Sequence, residues 1–76
     1  MTDEKRAEVA KRLADRYMAE HREALALARK HLTDAAAIGK YAWSTAADVA
    51  LSRRAASEWT AKAKELLECA HYLRGA

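Results

Sequence analysis

The feature that most constrains this chain is a run of apolar and small residues, spaced four and three apart without a break. Ile38, Ala42, Thr45, Val49, Ser52, Ala56, Trp59, Ala63, Leu66, Ala70 and Leu73 all fall on it. Such an alternation draws one stripe along one face of an α-helix. A turn inside the run would normally shift its phase, and no shift is visible. The spacing therefore predicts one long helix over 35–74, with Gly39 in its first turn, where its cost is small. A break near 51–54, within "LSRRAAS", is the alternative and would give a compact three-helix bundle.

A second stripe precedes it. Ala7, Ala10, Leu13, Ala14, Tyr17, His21, Ala24, Leu25, Ala28 and Leu32 recur at spacings of three and four, with Leu13–Ala14 and Ala24–Leu25 as adjacent pairs. They predict a first helix over about 3–31, capped by Thr2 or Asp3, with early acids at the positive end of its dipole. Arg29, Lys30 and His31 are cations suited to a helix C-terminus. "LTDAAA" reads as the break, because Thr33 or Asp34 can cap the next helix. Proline is absent and strand patterns are missing, so the fold class is all-α.

Small residues recur every seventh position on both stripes: Ala7, Ala14 and Ala28, then Ala42, Ala56, Ala63 and Ala70, with Val49 completing the series. Small side chains let two helices approach to near 8 Å, which favours a tight antiparallel hairpin. Folding about Thr33 sets residue i beside residue 67 − i, so Met1 meets Leu66. Leu66, Leu67, Cys69, Tyr72 and Leu73 then overhang without cover. Residues 35–51 are apolar on almost every side, Trp43 and Leu51 included. A helix apolar all round expects neighbours all round. The expected architecture is one domain, 1–76, a hairpin that dimerises into a four-helix bundle.

Composition sharpens this expectation. Twenty of the 76 residues are alanine and none is phenylalanine, so the core of one copy is thin. A single cysteine excludes an internal disulfide and suits a reducing compartment. Residues 2–8, "TDEKRAE", do not resemble a secretory leader, and no stretch has the length of a membrane span. The expected location is the cytoplasm, and the alanine and arginine richness suggests a bacterial or phage source.

The candidate chemistry is sparse. Glu68 and His71 form the Glu-x-x-His of di-iron bundles. In the 4-3 phase, however, Glu68 points opposite the seam and His71 sideways, which favours a solvated pair over a metal site. His21 lies inside the first stripe. The 67 − i pairing sets it near Thr45 and Asp48, which would satisfy it as a polar core group that fixes register. A pH-sensitive interface is the functional alternative for His21. No nucleophile–base arrangement accompanies it, and no catalytic residue or cofactor is expected.

Trp59 belongs to the seam, whereas Trp43 and Tyr72 lie off it. Aromatic residues so placed are frequent binding hot spots. The formal net charge is +3, with basic and acidic groups interleaved on the first helix. Arg53 and Arg54 are the best candidates for phosphate contacts, although no nucleic-acid-binding motif surrounds them. The reading favoured is a non-enzymatic interaction module, acting as a homodimer through an exposed apolar face with contacts at Trp43, Leu51, Leu66, Leu67 and Tyr72. Its expected partners are a second copy and another protein, with no membrane. A nucleic-acid-binding bundle and a metal-binding bundle are the alternatives.

Overall fold

A computed structural model describes residues 2–41 and 43–75 of the chain. The described residues form two α-helices, α1 (Asp3–Ile38) and α2 (Ala46–Gly75), which pack against each other as an antiparallel hairpin. The all-α hairpin expected from the stripes is present. The reversal point is not where "LTDAAA" placed it.

Helix α1 starts as the sequence requires. The Thr2 hydroxyl accepts a hydrogen bond from the Lys5 N–H at 3.2 Å, and Asp3 and Glu4 occupy the first turn. The helix then runs straight through Thr33 and Asp34. The Thr33 hydroxyl donates to the Arg29 carbonyl at 3.0 Å, so it is satisfied within the helix and interrupts nothing. Arg29, Lys30 and His31 therefore lie well before the end, and the last turn contains no basic residue. Gly39 closes α1, its N–H bonding to the Ala35 carbonyl at 3.1 Å.

The reversal is built by local bonds. The N–H of Lys40 reaches the Ala37 carbonyl, and that of Tyr41 the Ile38 carbonyl. Both the N–H and the hydroxyl of Ser44 reach the carbonyl of Tyr41. Helix α2 then opens on a reciprocal cap. Asp48 Oδ2 accepts from the Thr45 N–H at 2.9 Å, while Thr45 Oγ1 accepts from the Asp48 N–H at 3.3 Å. The single helix over 35–74 is thereby corrected to α2 beginning at Ala46. That helix is continuous through 51–54, which removes the three-helix alternative.

The seam keeps the predicted spacing nonetheless. On α1 it comprises Ala10, Ala14, Tyr17, His21, Ala24, Ala28, His31, Ala35 and Ile38, all buried or half-buried. On α2 it comprises Val49, Ser52, Ala56, Trp59, Ala63, Leu66, Ala70 and Leu73, of which only Trp59 reaches the margin at 37% exposure. Ala42, a member of the predicted run, lies outside the described residues, as does Met1.

The new turn changes every cross-helix neighbour. His21 Nδ1 lies 2.7 Å from the Ala63 carbonyl, so residue i meets roughly residue 84 − i rather than 67 − i. The difference of 17 residues moves α2 by about 25 Å along α1. Leu66 is consequently 9% exposed, packed with Ala24 and Ala63 beside Tyr17 and Leu25. Leu67 and Leu73 are half-buried. The expected overhang at 66–73 does not form, and the polar start of α1 extends past Gly75 instead.

What the seam buries is small. Its buried side chains are Ala14, Ala24, Ala28, Ala35, Ala56, Ala63, Ala70 and Leu66. Each alanine contributes a single methyl, about 0.8 kcal/mol of transfer free energy when taken from water. The outcome is a rod with extents of 62 × 15 × 13 Å. Its radius of gyration is 17.6 Å, against about 11 Å for a compact domain of this length.

Candidate interaction surfaces

A two-helix ribbon has two broad flanks, and helix geometry assigns residues to each. Residues one position after a seam residue fall on one flank; those one position before fall on the other. A cross-helix ion pair verifies the first assignment. Asp15 follows Ala14, Arg74 follows Leu73, and their Oδ1 and Nη2 atoms are 2.7 Å apart. A groove shared by Glu20, Leu27, Trp59, Lys62 and Leu66 verifies the second.

The flank before the seam carries most of the exposed apolar surface. Val9, Leu13 and Leu27 lie on α1, with Leu51, Ala55, Cys69 and Tyr72 on α2. Leu51 is 63% exposed and Tyr72 76%, and the Trp59 ring opens into the same groove. A second hollow of about 620 Å³ lies against Tyr17, Glu65, Cys69, Tyr72 and Leu73. The charges here are mixed: Glu20, Glu23, Asp34, Asp48, Glu58 and Glu65 alternate with Arg16, Lys30 and Lys62. Arg16 Nε lies 3.6 Å from Glu20 Oε1.

The flank after the seam is basic. Lys11, Arg22, Arg29, Arg53, Lys64 and Arg74 fall on it. Its carboxylates, Glu8 and Asp15, are confined to the open end of the hairpin, where Asp15 is paired with Arg74. Its larger apolar residues are Met18, Leu25 and Leu67, all half-buried, and Leu32, which is exposed.

Of the residues expected at a binding face, Leu51 and Tyr72 share the apolar flank. Leu66 belongs to the intramolecular core, and Leu67 is half-buried on the basic flank. Trp43 sits apart at the turn, 73% exposed and stacked on Tyr41 with ring centroids 5.3 Å apart. This aromatic pair caps the closed end of the rod. The Arg53–Arg54 doublet divides: Arg53 joins the basic flank, while Arg54 borders a shallow hollow with Ala47, Ala50 and Leu51.

His21 is a polar seam residue, but its partner is not Thr45 or Asp48. Those two cap α2 and lie at the far end of the hairpin from it. A carbonyl can only accept, so His21 Nδ1 carries the proton and donates to Ala63. That bond bridges residues 42 apart in sequence, and it ties the two helices at one level. His31, read from the sequence as an end-of-helix cation, is a second half-buried imidazole in the seam. Its position ten residues after His21, on the 4-3 spacing, was the signal that could have placed it there.

Glu68, Cys69 and His71 are all exposed. Among the described residues no three or more His, Cys, Asp or Glu side chains gather as a metal site would require. No described helix is long and apolar enough to cross a membrane. No family model, curated protein or solved structure matches the chain.

Proposed function

We propose that the chain is a non-enzymatic interaction module that works as a homodimer, the apolar flank of one hairpin packed on that of another to complete a four-helix bundle. One observation carries this reading. The hairpin exposes 6053 Å², whereas a compact monomer of 8.5 kDa exposes about 4,650 Å². The surplus of roughly 1,400 Å² per chain is in the range that obligate homodimers bury per partner, about 1,000–2,500 Å².

Placement of the apolar residues chooses the flank. Leu13, Leu27, Leu51, Trp59 and Tyr72 give it the aromatic and aliphatic anchors that dominate interface energies. The interspersed Lys30, Lys62 and Arg16 supply cations for the partner's carboxylates, so the facing charges need not repel. The Tyr41–Trp43 stack remains outside this contact, at the end of the bundle, as the anchor for a different protein. An adaptor, regulator or inhibitor acting in the cytoplasm is the role that suits such a particle. The exposed thiol of Cys69 is compatible with a reducing compartment.

The test is solution mass by light scattering over a dilution series, with helicity followed in parallel. A stable species of about twice 8.5 kDa is expected. A monomer that stays fully helical on dilution would overturn the reading, because one hairpin would then be sufficient by itself.

A further inference from the structure

The basic flank is not used by the proposed dimer, since it faces the other way, and its charges are arranged in a specific manner. Arg22 follows His21 and Arg29 follows Ala28 on α1; Arg53 follows Ser52 and Lys64 follows Ala63 on α2. With residue i beside 84 − i, Lys64 lies level with Glu20, two residues from Arg22. Arg53 lies level with His31, two residues from Arg29. The four cations thus form two cross-helix pairs. Their mean levels are about nine residues apart, or about 13 Å along the rod.

Between the pairs the surface suits phosphate. Arg53, Ser57 and Lys64 border one shallow groove with Leu32 and with Thr60, whose hydroxyl donates to the Ala56 carbonyl. No carboxylate falls on this flank between Met18 and Leu32 of α1, or between Ala50 and Leu67 of α2. That is unusual in a chain where 11 acids accompany 14 bases, and no such stretch occurs on the opposite flank. The separation of the pairs is close to the width of the B-form major groove, about 12 Å, so the two pairs can reach phosphates on both strands bordering it.

We propose that this flank is a binding face for the phosphate backbone of a nucleic acid duplex, with Arg22, Arg29, Arg53 and Lys64 as its contacts. A lipid surface fits less well. Leu32 is the exposed large apolar side chain here, while Met18, Leu25 and Leu67 are turned half into the seam, leaving little to insert. The proposed contacts are to phosphates alone, so binding is indifferent to sequence. The proposal does not depend on the dimer, because one hairpin presents the whole face.

The experiment uses the full chain and a labelled DNA duplex of mixed sequence, with anisotropy measured as salt is raised. Four phosphate contacts predict a slope of log affinity on log salt near −3.6, a loss of about 150-fold between about 50 and about 200 mM. Arg29→Gln with Arg53→Gln should make that slope shallower by about two, with helicity and solution mass unchanged. Lys5→Gln with Arg12→Gln removes the same charge from the outer face of α1 and should leave the slope nearly as it was. Absence of duplex binding at low salt overturns the proposal. Equal effects of the two double variants also overturn it, since the attraction would then be general charge. Anionic phosphatidylserine vesicles bound in preference to the duplex would overturn it in favour of a membrane surface.

Discussion

The two flanks of this hairpin share the same helices and differ by a shift of two positions in sequence, yet they are chemically opposite. The one before the seam collects Leu13, Leu27, Leu51 and Tyr72 with six acids; the one after it collects Arg22, Arg29, Arg53 and Lys64. Between them the seam is nearly neutral in character, seven alanines and one leucine being its buried members among the described residues. Such a seam fixes which way each flank faces and contributes little else. Small side chains bring the helices together closely, but they offer modest apolar area to hold them there. Orientation is therefore the seam's part, and the association proposed above falls to the flanks.

The most direct way to break this comparison is to truncate one large apolar side chain on each side. Tyr72→Ala removes an exposed ring from the apolar flank, and a loss of about 2 kcal/mol or more in dimer stability is expected, at least about 30-fold in the dissociation constant. Leu32→Ala on the basic flank should change it by less than about 0.5 kcal/mol. Sedimentation equilibrium reads both. Equal losses would mean that the flanks do not divide the work, and the proposed interface would fall.

A smaller effect tests whether the seam really orients both flanks at once. Ala63 is 1% exposed and its carbonyl receives His21. Ala63→Leu adds three carbons at a buried site packed against Ala24, and overpacking of this kind costs about 1–3 kcal/mol. The melting temperature should fall and duplex binding should weaken together with dimerisation, because the helices can no longer keep their rotation. Unchanged melting of the Ala63→Leu variant would show that the seam has slack, and that the alanines are there for some reason other than close approach.

How much of this was legible beforehand is clearest at the turn. The 4-3 spacing located the seam on both helices, and with it the hairpin. It hid the reversal, because the turn over 39–45 is one heptad long and hands the phase from Ile38 to Val49 unchanged. Phase alone cannot distinguish such a turn from a continuing helix. Local chemistry could have: Gly39 ends one helix, and Thr45-Ala-Ala-Asp48 is a capping box that starts the next. Thr33 looked equally capable, and only its bond to the Arg29 carbonyl decides against it. The division of charge between flanks follows from the phase of the seam, but which cations lie level across the helices depends on the cross-helix pairing and stays hidden until the turn is placed. Thr45→Ala should therefore cost about 1 kcal/mol, within a range of about 0.5–2, read as a lower denaturation midpoint. Thr33→Ala, its decoy, should be neutral or slightly stabilising, since it exchanges a back-bonded threonine for the best helix former.

The smallest effect sharpens the basic flank itself. Asp15 is that flank's last carboxylate before the uninterrupted cations, and its 2.7 Å bridge to Arg74 spans the helices near the open end. Both side chains are about half exposed, so solvent screening limits what the pair contributes, and a double-mutant cycle with Asp15→Asn and Arg74→Gln should give about 0.2–1 kcal/mol. The sign of a second readout matters more. Neutralising Asp15 frees Arg74 and removes the nearest negative charge from the cationic run, so duplex affinity at low salt should rise about twofold to threefold while stability falls slightly. Neutralising Arg74 should lower both. If Asp15→Asn instead weakened duplex binding, the bridge would be holding the helix ends in the geometry that the phosphates need. The phosphate-binding face would then extend further toward the open end than Arg22 and Lys64 mark it.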